Sequence, residues 1–197
     1  HNPDVDIHGV LGVADERLQV VNQPVRRGCG YRWSVAAQYD PEFLLVLDDD
    51  ILPFPWQLRV LFAELLASPD VPHGFAGMCL ARDAGFAYVQ NQTREVDLLC
   101  EVYALTRAHL KRYDELRQTA IERGASAEAI ESAADFVVLS HTGNGRPRIH
   151  PSGRLMRCPT SSRPGIAVHK GPGFAGSVWD VARVLGDARF QPDQHPT

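Results

Sequence analysis

The chain has 197 residues and is 44% hydrophobic, enough to bury a real core, and its length favours one globular domain, 1–197, over two small ones. Twenty Lys and Arg against 24 Asp and Glu give a formal charge of −4, without the basic footprint that neutralises nucleic-acid phosphates, so no nucleic-acid partner is expected. No apolar stretch approaches the roughly 18 residues that read as a membrane span, so no transmembrane segment is expected, and the 4 cysteines form no Cys-x-x-Cys pair, against a zinc knuckle or a dense disulfide framework and in favour of reduced thiols.

In chain order, His1 to Asp4 has turn character, residues 5–13 mix apolar and polar positions, and Leu18-Gln19-Val20-Val21 reads as a short buried strand closed by Asn22 and Pro24. After the Gly28-Cys29-Gly30 turn, Arg32 to Tyr39 has helical spacing, with Trp33, Ala36 and Ala37 available for one face. Phe43 to Leu47 is a continuous apolar run of strand length, expected to be covered on both faces, and it leads directly into Asp48, Asp49 and Asp50. Pro53 and Pro55 suit the first turn of a helix whose apolar face is marked by Leu58, Phe62, Leu65 and Leu66, until Ser68-Pro69-Asp70 stops it.

Phe75 to Leu80 and Phe86 to Gln90 predict two short strands around a hairpin-like turn. Val96 to Leu105 is apolar with embedded acids and precedes a charged helix from about Thr106 to Arg123, broken at Gly124, with Ser126 placed to cap a second one. Phe136 to Leu139 admits strand or helix, because its β-branched content and its lack of alternation pull in opposite directions. Thr142 to Pro164, rich in Gly, Pro, Arg and Ser, predicts a surface loop; Gly165 to Val168 predicts a last strand, Gly171 to Gly176 a loop, and Val178 to Leu185 a final helix. Strands alternating with helices indicate an α/β layered fold.

The junction after Leu47 carries the chemistry. Ligands of open α/β sheets gather beyond the carboxyl ends of strands, and three adjacent carboxylates there repel one another and invite a cation. Carboxylate oxygens suit hard ions such as Mn2+ or Mg2+, which bridge phosphate oxygens and offset the charge of a leaving diphosphate. In an extended strand end, Asp48 and Asp50 point to one side and Asp49 to the other. The plainer alternative is a solvated turn whose acids favour the following helix dipole. Gly171-Pro172-Gly173-Phe174-Ala175-Gly176 is a literal GxGxxG, yet no strand with an acid about 20 residues on follows it, as a dinucleotide unit requires, and Pro172 lacks an N–H donor; a lid over the ligand fits better.

FLLVLDDDILP, Phe43 to Pro53, resembles the Asp-x-Asp strand of the GT-A fold glycosyltransferases, in particular their family 2-like and exostosin C-terminal groups. Val20-Val21-Asn22, Gly28 and Arg32-Trp33-Ser34-Val35-Ala36 are similar to the family's strand, glycine turn and Arg-aromatic helix start, while Val96-Asp97 to Leu105 resembles its segment near the acceptor. Asp135 matches the acid that follows, with Ala134 standing where the family commonly has Glu. The resemblance implies a three-layer α/β/α sandwich around a mixed, mostly parallel sheet, lacking the family's first strand-helix unit. It implies a metal-dependent glycosyltransferase moving a sugar from a nucleotide-sugar donor, UDP- or GDP-linked, to a saccharide or other hydroxyl acceptor. Asp48 and Asp50 would hold Mn2+ or Mg2+, with His169 completing the metal shell; Asp49 would lie near the ribose or sugar, and Asp48 and Asn22 would also belong to the donor-binding set. Arg27 and Arg32 would pair with the diphosphate, because a planar guanidinium matches phosphate oxygens bidentately. Asp135 would be the catalytic carboxylate, deprotonating the acceptor hydroxyl or stabilising a cationic sugar. A cytoplasmic location, membrane-associated through the acceptor, is expected, or a Golgi lumen in a eukaryote. The alternatives are another metal-dependent nucleotidyl- or phosphoryl-transfer enzyme, which would use the same acidic turn, and a non-catalytic nucleotide-sugar-binding relative.

Overall fold

The computed structural model describes residues 12, 15–80, 85–159, 161–164 and 167–186. The expectations for residues 1–4 and, Gly12 apart, 5–13, most of the turn between the two hairpin strands, and Gly165 and Ile166 of the expected last strand lie outside that set. Helix α1 (Tyr31–Gln38) leads to β1 (Phe43–Leu47), the two-residue β2 (Ile51–Leu52) and α2 (Pro55–Ala67). Then come β3 (His73–Leu80), β4 (Phe86–Gln90), β5 (Arg94–Glu95) and β6 (Leu98–Thr106). Helix α3 (Arg107–Glu122) is followed by α4 (Ala127–Ala129), a π-helical turn over Ile130–Ala134 and α5 (Asp135–Ser140). Strands β7 (Arg148–Ile149) and β8 (Met156–Arg157), a 3-10 turn at Val168–Lys170 and α6 (Phe174–Val184) complete the described chain.

The fold is α/β with a mixed sheet. Its strands run β1-β6-β3-β7-β5, with β4 also on β3, and β2 pairs separately with β8. The sheet corrects the expectation of mostly parallel pairing: among the described residues β3 with β7 is parallel, while β1–β6, β3–β6, β3–β4 and β5–β7 are antiparallel. Tight connections such as the one from Leu80 to Phe86 can only join antiparallel neighbours, because a parallel pair needs a long crossover. The period of two along β6 divides the core: Val102 and Ala104 meet Leu61 and Leu65 of α2 on one face, whereas Tyr103 and Leu105 meet Trp33, Leu110, Tyr113 and Val137 on the other. Helices therefore cover both faces.

Several expected elements stand where the sequence puts them, including α1, β1, β3, β4 and α3. Gly124 ends α3 with φ +100, and the Ser126 hydroxyl accepts from the Ala129 N–H at 3.2 Å. Others differ. Leu18 and Val21 are exposed and in no strand, since no described strand pairs with them. β1 is half-buried instead of covered on both faces, because β6 is its one described strand partner. On α2 the buried positions are Gln57, Leu61 and Leu65, while Leu66 faces solvent; Gln57 is drawn inward by donating to the Ser152 carbonyl at 2.5 Å. Phe136 to Leu139 is a fully buried helix, so its continuous apolar run reflects enclosure by neighbours on all sides. The expected 142–164 loop holds β7, β8 and the buried His150 and Ser152. Val168 lies in a 3-10 turn and not in a strand, and α6 begins at Phe174, absorbing Gly176 from the expected loop.

Candidate functional site at the acidic turn

Asp48 follows β1 directly, and its N–H donates to the Glu101 carbonyl at 2.8 Å, which continues the β1–β6 ladder by one step. The chain then folds back, with the Ile51 N–H on the Asp48 carbonyl at 3.2 Å, so residues 48–51 are a turn and the alternation expected of an extended end does not apply. Asp49 is exposed; Asp48 and Asp50 are half-buried.

On one side of this turn Arg32 joins two carboxylates far apart in sequence. Its Nη1 pairs with Asp48 and its Nε with Asp135 Oδ2 at 3.2 Å, a residue 103 positions away. Trp33 Nε1 donates to the same Asp135 oxygen at 2.8 Å, and the guanidinium lies over the rings of Trp33 (5.3 Å) and Tyr103 (5.6 Å). Asp135 is only 2% exposed, and Arg32 and Trp33 supply the hydrogen bonds that a carboxyl group taken out of water requires. Close backbone approach makes the convergence possible. A Cβ on Gly28 would lie 2.3 Å from the Glu131 carbonyl oxygen, and the Gly30 N–H donates to that oxygen at 2.8 Å, fastening the start of α1 to the π turn that precedes Asp135. Such a turn is a local distortion often found at functional positions, and here it is followed at once by the buried acid.

Charge and burial compete at each group. Burial disfavours the Arg32 charge, but Asp135, Tyr103 and Asp48 together outweigh it and raise its pKa, so the guanidinium stays protonated. Burial pushes the Asp48 carboxyl above its ordinary value, with Arg32 pulling the other way. Asp50 is also raised, by burial first and then by the charge of Asp49.

The opposite side of the turn holds a second guanidinium that sequence reasoning did not find. Arg157 of β8 donates to Glu101 Oε1 at 2.5 Å and to the Tyr88 hydroxyl at 2.9 Å, and Tyr88 donates in turn to Glu101 Oε2 at 3.1 Å. The signal in the sequence was Glu101 itself, the one charged residue in LLCEVYALT.

Of the residues singled out from sequence, Asp48, Asp135 and Arg32 come together, with Asp49 and Asp50 beside them in the turn. Arg27 is exposed and stacks over Tyr31 at 5.1 Å, Asn22 is exposed in an irregular segment, and His169 is exposed and edge-on to Phe174 at 6.4 Å. Among the described residues no three His, Cys, Asp or Glu side chains are grouped to hold a metal, so the expected Asp48, Asp50 and His169 shell is not assembled here. The donor chemistry of the turn still fits a hard ion: two half-buried carboxylates carry raised pKa values, a burial cost that a cation would relieve, and Mg2+-type sites commonly take one or two carboxylates and fill the rest with phosphate oxygens and water. No protein-family model matches the chain, and no curated protein matches it.

Proposed function

We propose that this chain is a metal-dependent glycosyltransferase of GT-A type that moves a sugar from a UDP- or GDP-sugar to a hydroxyl acceptor. The observation that carries the reading is the Arg32 bridge, which ties the acidic turn at a strand end to a buried carboxylate from the opposite half of the sequence. Nothing in the packing of an α/β core calls for two acids to meet on one arginine at a strand end, whereas a diphosphate leaving group and a reacting sugar require both signs of charge in one place.

In this reading Asp48 and Asp50 would hold Mn2+ or Mg2+, which when bound offsets the charge of the departing diphosphate. Arg32 offers a planar donor fork to phosphate oxygens, held in orientation by Asp135 and by the two aromatic rings. Asp135, buried and accepting from Trp33, fits the role of a fixed negative charge that stabilises a cationic sugar better than that of a group exchanging protons with an acceptor.

The test is calorimetry of the folded chain with Mn2+ or Mg2+ and UDP or GDP, followed by product analysis with the matching nucleotide sugars. Metal-dependent binding, loss of that binding in Asp48→Asn, and release of free nucleoside diphosphate are expected. Pyrophosphate release would move the protein to nucleotidyl transfer, and the absence of any metal-dependent nucleotide binding would end the proposal.

A further inference from the structure

Glu101 sits inside β6 with φ +69, in the left-handed region that glycine favours and a glutamate enters only at an energetic cost. It lies at the break in register between β3 and β6, where the pairing shifts between Gly74 and Ala76, so Glu101 and Val102 together stand opposite Phe75 as a bulge. All its polar groups are committed. The carbonyl takes the Asp48 N–H at 2.8 Å, its own N–H donates to the Tyr103 hydroxyl at 3.2 Å, and the carboxylate takes Arg157 at 2.5 Å and Tyr88 at 3.1 Å. The residue after Arg157 closes the other end of the acidic turn, since the Cys158 N–H donates to the Asp50 carbonyl at 2.8 Å. One ion pair thus joins the two strands that grip residues 48 and 50.

We propose that Glu101 is a positioning residue for the acidic turn: its left-handed backbone and its bridge to Arg157 fix both ends of the Asp48-Asp49-Asp50 segment, and with them the carboxylates that face the nucleotide. The proposal rests on the sugar-transfer reading for what the turn binds, and on the hydrogen bonds alone for the clamp. Glycine would adopt this conformation without steric cost, and what it could not supply is the carboxylate that holds Arg157 and Tyr88. Backbone strain held at such a place is characteristic of segments whose geometry serves a ligand.

The experiment compares the wild-type chain with Glu101→Gly and Glu101→Gln, with Mn2+ and UDP as the probe. Glu101→Gly removes the strain and the bridge together. Its Tm without ligand is expected to stay close to that of the wild type, relief of the left-handed strain offsetting the lost bridge, while its affinity for UDP in the presence of Mn2+ falls roughly 10-fold to 100-fold, the scale on which supporting residues act on metal sites. Glu101→Gln keeps an acceptor for Arg157 and falls between the two. Unchanged affinity in Glu101→Gly, or an affinity loss that comes with a lowered Tm and faster amide exchange throughout the sheet, overturns the positioning role. Should the wild type bind no UDP, the sugar-transfer reading fails separately, and hydrogen exchange decides the clamp. Faster exchange confined to the Asp48 and Cys158 amides of Glu101→Gly upholds it; unchanged exchange refutes it.

Discussion

Among the described residues, two of the polar clusters buried against this sheet meet the cost of leaving water in opposite ways. Around Arg32, charge is set against charge: two carboxylates and two aromatic faces hold one guanidinium. At the first residue of β3 the solution is neutrality. His73 and His150, 1% and 3% exposed, stack with ring centroids 5.1 Å apart and share a hydrogen bond of 2.8 Å. The Ser68 carbonyl, 2.8 Å from His73 Nε2, can only accept, so that nitrogen carries the proton, and His73 Nδ1 receives the Nε2–H of His150. His150 Nδ1 is left 3.7 Å from Glu64, too long for a hydrogen bond to a neutral ring. A neutral pair of this kind completes a core at little cost. A cluster of full charges is expensive to bury and is kept where charge has a use.

The difference can be broken first at Asp135. Asp135→Ala leaves Arg32 short of a counter-charge and the Trp33 N–H without its acceptor, and a loss of about 3–5 kcal/mol is expected in urea denaturation. Asp135→Asn still accepts from Trp33, so it should fold far better yet lose the sugar transfer proposed above. An active Asn variant would show that the charge is structural only. In the neutral cluster, His73→Ala strands the His150 N–H and the Ser68 carbonyl, and about 2 kcal/mol should be lost with nucleotide affinity unchanged. A matching fall in affinity would mean that the two clusters are coupled.

The smallest effect sharpens the contrast through pH. Burial lowers the pKa of His73, His150 and the nearby His109, so their contribution to stability is full above the ordinary histidine value and is lost as pH falls through the depressed values. Asp48 and Asp50 are raised, so their contribution runs the other way, full below the ordinary carboxylate value and lost as pH rises through the raised ones. Tm measured from pH 8 downward should therefore begin to drop below about 6.5. His150→Gln, whose amide still donates to His73, should flatten that drop, and a drop unchanged in the variant would assign it elsewhere.

Much of this was legible along the chain because it is local. The apolar run Phe43 to Leu47 before three aspartates, the glycine turn before Arg32 and the stop at Gly124 are encoded within a few residues, where chain stiffness and hydrophobic spacing act. Of the Arg32 cluster, the members could be named from the sequence but their meeting could not. Arg32, Asp48 and Asp135 were identifiable by type and place, while Glu101 and Arg157 were hidden, because a bulge and a two-residue strand leave almost no trace in periodicity.

The sequence by itself determined the element order around the acidic turn and the three carboxylates that follow β1. Only the tertiary structure decided that the sheet is chiefly antiparallel among the described strands, that Phe136 to Leu139 is a helix, and that Arg32 reaches Asp135 at all. The physical reason is range. Propensity and spacing act over one or two turns of chain, but strand direction and ion pairing across 103 positions are settled by which surfaces pack together, and no local rule contains that information.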